Sequence, residues 1–316
     1  MPHRVVVTGG SGVIGRELLG RLVAGGAEVM SLDRMPLPEP LARRVRQVQV
    51  DLAEGGMDEI RDFRPETVYH LAAAFERSEE ESGFWLPGYR DNIAVSHRLH
   101  DTIRATPSAR TYVFASSYLI YEPSLYLLDA PREVPVALRE SDPIAPRNLC
   151  GAAKLYAETE MRFMTEVDKL PLRTVAARIY RVYGCGSRDV VSRWARALIA
   201  GEPIEVYNPE NRFDYIFAGD VAEALRRLAV SPTASGIVNV ATGRSPSIAE
   251  VAAAVVRATA AAPALVKHRG SNAPFEASGG AIDRLIASTD WRPPTGIDAG
   301  IAQIVAHERA TARRAA

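Results

Sequence analysis

The feature that most narrows the fold is a glycine-rich turn at the end of the first apolar run. Arg4-Val5-Val6-Val7-Thr8 reads as a buried strand, passes into Gly9-Gly10-Ser11-Gly12-Val13-Ile14-Gly15, and is followed by a helical period to Ala24. Gly9 permits a tight turn, Gly12 lets a pyrophosphate approach the backbone at the helix N-terminus, and Gly15 lets helix and strand pack closely. A turn of this kind also closes ordinary strand-to-helix connections. Its setting, with a second strand ending in Asp33 after it, points to dinucleotide binding by Gly9, Gly12, Val13 and Ile14.

Short β-branched runs go on alternating with helical periods. Strands are predicted at 28–33, 46–50, 67–71, 111–115 and 173–179, and helices near 88–105 and 148–168. The alternation predicts an α/β protein, a Rossmann doubly wound parallel sheet. Beyond residue 180 the pattern is less regular, with pieces such as Ile204–Tyr207 and Ile237–Val240 between helices, which predicts a smaller C-terminal α/β substrate lobe. We expect a cofactor domain over 1–175 with a return segment at about 214–242, and a lobe built from 176–213 and 243–316. Pro and Gly punctuate 36–40, 123–146 and 270–280, and loops of that length are usually functional or mobile.

Composition removes several classes of function. The 38 Lys and Arg balance 38 Asp and Glu, so no overall field draws nucleic acid or an anionic membrane. Two cysteines, Cys150 and Cys185, are too few for a disulfide framework and fit a reducing cytoplasm. The opening apolar stretch is too short for a signal peptide, and Val251–Val266 is interrupted by Arg257 and Pro263, short of a membrane span. His97 and His100 share a helix without a third ligand at metal-site spacing and are expected at a surface or interface; no metal is expected.

Asp33 should accept hydrogen bonds from the adenosine ribose hydroxyls and repel a 2′-phosphate, which favours NAD over NADP. Arg34 beside it argues the other way. Further motifs are Asp51-Leu52 after the third strand, His70-Leu71-Ala72-Ala73 at the fourth, Ala115-Ser116-Ser117 ending the fifth, Arg178-Ile179-Tyr180-Arg181-Val182-Tyr183-Gly184, and Arg212-Phe213-Asp214-Tyr215-Ile216. Together they resemble the extended short-chain dehydrogenase/reductase family, in its NAD-dependent nucleotide-sugar epimerase/dehydratase branch, over nearly the whole chain. The resemblance implies NAD as cofactor, held by Gly9, Gly12, Val13, Ile14, Asp33, Arg34, Asp51, Leu52, Leu71, Ala72, Ala73, Ser116, Lys154 and Tyr180. It implies a nucleotide-diphosphate sugar as substrate, held by Glu76, Arg181, Arg193, Tyr207, Arg212 and Arg269; the competing reading of each arginine is a solvated surface cation. A homodimer is the expected assembly.

In the resembled family a Tyr-x-x-x-Lys pair lies on one helix face, and the lysine lowers the phenol's pKa and holds the nicotinamide ribose. Here the matching stretch is Cys150-Gly151-Ala152-Ala153-Lys154, with the lysine present and a shorter thiol in place of the phenol. Four readings stay open. Another side chain does the acid/base work, Tyr118 foremost because it follows the catalytic Ser117; Cys150 does it through a water or a repositioned sugar; hydride chemistry is lost and NAD is structural; or position 150 carries a mutation. Tyr118 and Leu119 stand where the family's 4,6-dehydratases carry an Asp-Glu pair, and Arg181 stands where an Asn is frequent, so that it meets a sugar carboxylate or phosphate or else forms a junction salt bridge. The segment 122–140 is expected as a modified lid over the sugar. The catalytic set is therefore Ser117, Tyr118, Cys150 and Lys154, for epimerisation or dehydration through a keto-sugar. The alternatives are a sugar ketoreductase or dehydrogenase and a catalytically silent NAD-binding homologue.

Overall fold

The three-valine run is continuous rather than alternating because its strand is covered on both faces. Val5 and Val7 point into one apolar layer and Val6 into the other. In the strand Thr111–Ser117, Val113 and Ala115 face the first layer while Tyr112 and Phe114 face the second. The computed structural model, which describes residues 2–75, 82–270 and 273–315, assembles such strands into a seven-stranded sheet. Its spatial order is Gly236–Val240, Arg173–Ile179, Thr111–Ser117, Thr67–His70, Arg4–Thr8, Glu28–Asp33 and Arg46–Gln49. Every neighbouring pair is parallel.

Helices close both faces. Val13–Ala24 and Ala218–Val230 bring Leu18, Leu19, Leu22, Val221, Leu225 and Leu228 to the first layer, while Met57–Phe63, Val95–Arg104 and Leu149–Arg162 bring Ile60, Leu99, Ile103 and Met161 to the second. The helix expected near 88–105 opens as a wide π-type turn, Gly88–Ala94, and that expected over 148–168 ends as one, Phe163–Val167. None of the described helices is long and apolar enough to cross a membrane.

After Ile179 the chain leaves the sheet through Arg181–Tyr183 and returns to it through Ala218–Val230 and Gly236–Val240. Between and beyond these passages, the helices Val190–Ile199, Ile248–Thr259 and Ile297–Ala315 enclose a separate apolar cluster around Trp194, Val251, Val255 and Ile301. Short parallel pairs lie beside it: Ile204–Tyr207 with Val266–Arg269, Arg212–Phe213 with Phe275–Gly280, and Arg181–Tyr183 with Tyr215–Phe217. The 122–140 segment, expected as a lid, is stitched into this region. Leu127–Leu128 and Val136–Leu138 both pair with Phe275–Gly280, because Tyr126 and Leu138 are fully buried there.

Asp214 ties these pieces together from inside. Its carboxylate accepts bonds from the Thr242 amide and hydroxyl (2.8 and 2.7 Å) and from the Gly243 amide (2.8 Å). Burial raises its pKa to about 6 against those donors. The folded state therefore keeps the Asp214 proton over a range where the unfolded chain has lost it, so this group's contribution to stability falls as pH rises from about 4 to about 6. Asp214→Asn has no such dependence; urea titrations should find the cost of that substitution shrinking between pH 4 and pH 6 and level above it.

Candidate active site

The glycine turn has the geometry its spacing requires. Gly9 has φ +75°, and a Cβ there would stand 2.5 Å from the Ala72 amide nitrogen; a Cβ on Gly15 would stand 2.3 Å from the Gly9 carbonyl oxygen. The helix that follows starts at Val13 with Gly12 as its N-cap and no side-chain cap, so its first amides face the open turn. Leu71 and Ala72, after the fourth strand, lie against Thr8 through the Leu71 amide (3.1 Å to the Thr8 carbonyl) and the Ala72 amide (3.4 Å to Oγ1). Ala73 is exposed beyond them. A turn with unspent amides and no room for side chains fits the pyrophosphate of a dinucleotide.

Asp33 ends the second strand and accepts the amides of Ser11 and Met35, both at 2.9 Å. Arg34 turns away from it to Asp91 (2.7 Å) and Asp51 (3.4 Å). Asp51 also takes Arg90 at 2.8 Å. Burial works to raise the Asp51 pKa, but the Arg90 hydrogen bond, the Ala53 amide and the Arg34 charge outweigh it and hold the carboxylate low. Leu52 is buried, with its carbonyl bonded to Arg98.

A second convergence is built by the helix Leu149–Arg162. Asn148 caps it, accepting the Gly151 amide at 2.9 Å. A Cβ on Gly151 would lie 2.5 Å from the Leu119 carbonyl oxygen, so only glycine lets the first turn reach the 118–120 loop. Lys154 is buried with Nζ 4.6 Å from the centre of the Phe114 ring; burial lowers its pKa, and Cys150 and Glu158 oppose the shift. Cys150, one turn earlier, is also buried. His70 is held neutral, chiefly by burial and then by the Lys154 charge, and bridges Thr8 and Ser96 at 2.7 and 3.0 Å.

One turn beyond Lys154, Glu158 meets Arg178 of the sixth sheet strand in a two-point ion pair (2.8 and 3.1 Å) with Arg178 fully buried. Burial alone would lower the Arg178 pKa; the Glu158 carboxylate reverses that. The Ser116 hydroxyl donates to Glu158 at 2.6 Å, so this side chain faces the helix. Ser117 caps the short turn Tyr118–Ile120, accepting the Leu119 amide at 3.2 Å.

Tyr118 is buried in a cluster that sequence reasoning did not foresee. Its ring stacks on Tyr180 at 5.0 Å, and its hydroxyl donates to Glu276 at 3.1 Å. Arg147 (2.6 Å) and Arg181 (3.5 Å) pair with the same carboxylate. Burial pushes the Tyr118 pKa up, with Arg181 opposing, Glu276 adding and Arg147 opposing. The remaining arginines are not brought to this cluster: Arg212 pairs with Glu250 and Arg269 with Glu205, each on its own carboxylate. Tyr207 also bonds Glu205, and Arg193 is exposed on its helix. Glu76 lies outside the described residues. His97 is at the surface, but His100 is a correction: it is buried, bridging Glu160 and Tyr112. The described residues contain no group of three metal-ligating side chains.

Residues 5–241 match the NAD dependent epimerase/dehydratase family. The dTDP-6-deoxy-L-talose 4-dehydrogenase (NAD(P)(+)) of Kitasatospora kifunensis is 30% identical over 254 residues, covering 77% of this chain and 74% of its own. The UDP-glucose 4-epimerase of Mycolicibacterium smegmatis is 26% identical over 317 residues, 96% of this chain and 97% of its own. In three dimensions the chain resembles the UDP-glucose 4-epimerase of Thermus thermophilus, solved with NAD, at a TM-score of 0.82 and 29% identity over 97% of this chain and 99% of that one.

Removing one partner of the Glu158–Arg178 pair leaves a buried uncompensated charge, a loss of about 3–5 kcal/mol. Glu158→Gln should therefore lower the unfolding free energy by that order in a urea titration, whereas Glu166→Gln, whose pair with Arg162 is exposed, should change it by less than ~1 kcal/mol.

Proposed function

The chain belongs to the NAD dependent epimerase/dehydratase family, and from that membership we propose that it epimerises or dehydrates a nucleotide sugar with Tyr118 as its proton carrier. The observation that carries this reading is the position of Tyr118: it directly follows Ser117, with Arg147 and Arg181 beside it and Lys154 on the adjoining helix. Bound NAD supplies a hydride acceptor and donor, so that a sugar carbinol passes through a ketone without net oxidation.

Every other part of the chemistry belongs to this chain's side chains. Gly9, Gly12, Val13 and Ile14 hold the pyrophosphate, Asp33 the adenosine ribose, Asp51 and Leu52 the adenine, and Leu71, Ala72, Ala73 and Tyr180 the remainder, with Lys154 at the second ribose. Ser117 hydrogen-bonds the reacting sugar oxygen and Tyr118 Oη takes its proton. Cys150 stands where the resembled family carries the phenol, and its thiol is too short to act directly. A buried phenolate is costly, and the Arg181 and Arg147 charges offset part of that cost. Arg193, Tyr207, Arg212 and Arg269 serve the nucleotide diphosphate. The Kitasatospora relative supports a second reading, net dehydrogenation or reduction of the sugar.

We place the protein in the cytoplasm as a homodimer. Trp85, Leu86 and Tyr89 are exposed, as are Tyr156 on the helix against which the Gly88–Ala94 turn packs and Phe163 just after it, and exposed large apolar side chains of this kind mark an interface when they form a patch. Light scattering should give twice the chain mass, and Trp85→Glu with Tyr156→Glu should halve it.

Four measurements test the chemistry. Calorimetric titration should find NAD bound appreciably more tightly than NADP, since Asp33 repels the 2′-phosphate and Arg34 is held by Asp91. Tyr118→Phe should lower kcat by ~10²–10⁴-fold with NAD affinity intact, and Cys150→Ala by less than about tenfold; the reverse ranking makes the thiol the acid/base. Because burial raises the Tyr118 pKa above that of a free phenol, the fraction of base grows with pH, and kcat should climb through the neutral range into alkali. NMR of the products separates epimerisation, dehydration and net redox, and inactivity on a panel of UDP- and dTDP-sugars would sink the enzymatic reading.

A further inference from the structure

The cluster around Glu276 holds more positive charge than its own carboxylate neutralises. Arg147 and Arg181 share the one carboxylate of Glu276, and Tyr118 and Ser278 add neutral hydroxyls to it, both at 3.1 Å. The layout of the three charged side chains is directional. Glu276 is 4% exposed, at the floor, whereas Arg147 is 29% and Arg181 31% exposed, in front of it. An anion arriving from solvent therefore meets guanidinium first, with one positive charge in excess.

Two polar groups at this spot are buried and without a hydrogen-bond partner among the described residues, Arg181 Nε and the Tyr180 hydroxyl. Buried donors are nearly always paired, and leaving one unmade costs free energy. The Arg181 guanidinium lies 3.6 Å over the Phe213 ring, which fixes its plane and leaves its edge as the donor surface, the fork geometry that suits a carboxylate. The place matters too. Tyr180 stacks on Tyr118, next in sequence to Ser117, and Arg147 lies one turn ahead of Cys150 with its amide on the Leu119 carbonyl at 2.9 Å. This is the end of the site where Ser117 and Tyr118 lie, and Arg212 and Arg269 hold other carboxylates.

We propose that the sugar this protein takes bears a carboxylate, a uronic acid or its relative, received by the forward edges of Arg181 and Arg147 above Glu276. The proposal rests on the nucleotide-sugar reading above and narrows its substrate class. Arg181 is then the specificity-determining residue: it accepts a charged sugar and leaves a neutral hexose facing a cation that the one carboxylate of Glu276 does not fully neutralise. Glu276 acts as a positioning residue, holding both guanidiniums in one orientation while leaving a net charge of plus one.

The test is a ratio of affinities on the NAD-loaded protein, with UDP-glucuronate against UDP-glucose and each compared with dTDP-glucose by calorimetry. Since all carry the same diphosphate, the ratio isolates the carboxylate. UDP-glucuronate should bind at least tenfold more tightly than UDP-glucose, and the preference should fall below about twofold in Arg181→Gln. Arg147→Gln, a second variant at the same carboxylate, should lower the ratio in the same direction, and Glu276→Gln should raise it. Equal binding of the two UDP-sugars, or a preference that survives Arg181→Gln, overturns the proposal while leaving the nucleotide-sugar reading standing. Binding of none of the three overturns that reading, and this one with it.

Discussion

The buried pair between Glu158 and Arg178 is the constraint on which the rest of the site depends. It joins the helix that carries Cys150 and Lys154 to the strand that leads out of the central sheet. The chain of contacts continues in both directions. Ser116 donates to Glu158, Arg178 lies over the Tyr121 ring at 4.7 Å, and Tyr121 donates to Asn239 at 2.6 Å. Asn239 in turn donates to the carbonyls of Leu138 and Ala281. A single line of polar contacts thus runs from the helix Leu149–Arg162 through the strands Thr111–Ser117 and Arg173–Ile179 to Gly236–Val240 and the 122–140 segment. A buried network is an asset only when nearly every member is satisfied, and Arg178 Nη1 is the exception among its described atoms.

Around this line, burial sets the protonation states. It keeps His70 neutral, weakens the hold of Lys154 on its proton and strengthens that of Tyr118. All three shifts favour uncharged forms, as expected of a place removed from water. The guanidiniums stay charged and supply the compensating field. The resulting division is between titratable groups made neutral by their surroundings and arginines that stay charged.

The sequence announces those parts of the molecule whose physics is local. The Gly9 turn is legible because only glycine takes a positive φ beside the Ala72 backbone, and the strands are legible because both-face burial demands unbroken apolar runs. Lys154 is legible from its spacing within one helix. Glu276 is not, since its partners Arg147, Arg181 and Tyr118 are brought to it from segments about 100 residues or more away; the alternation in Phe275–Gly280 marks a strand and says nothing about whom it meets. The same holds for Asp214. His100 reads as a surface or interface residue because a lone histidine at helical spacing carries no sign of the face it occupies, and the two short strands inside 122–140 are hidden by its proline-rich composition. Arg212 and Arg269 are readable as cations but not as partners of Glu250 and Glu205.

The stitching of 122–140 onto Phe275–Gly280 has a consequence for the order in which this molecule becomes whole. During synthesis, six of the seven sheet strands are available once residue 179 has emerged, and local βα contacts suffice to begin pairing them. Tyr118, Arg147 and Arg181 are all present by then or within two residues of it, yet the wall that faces them arrives nearly 100 residues later, with the segment carrying Glu276. Until it docks, Tyr126 and Leu138 have no strand to lie beneath, and two arginines share a cleft without a counter-ion. Contacts of such long sequence separation form slowly. The half-made chain is therefore a cofactor fold that waits, cleft open, for its own C-terminal third.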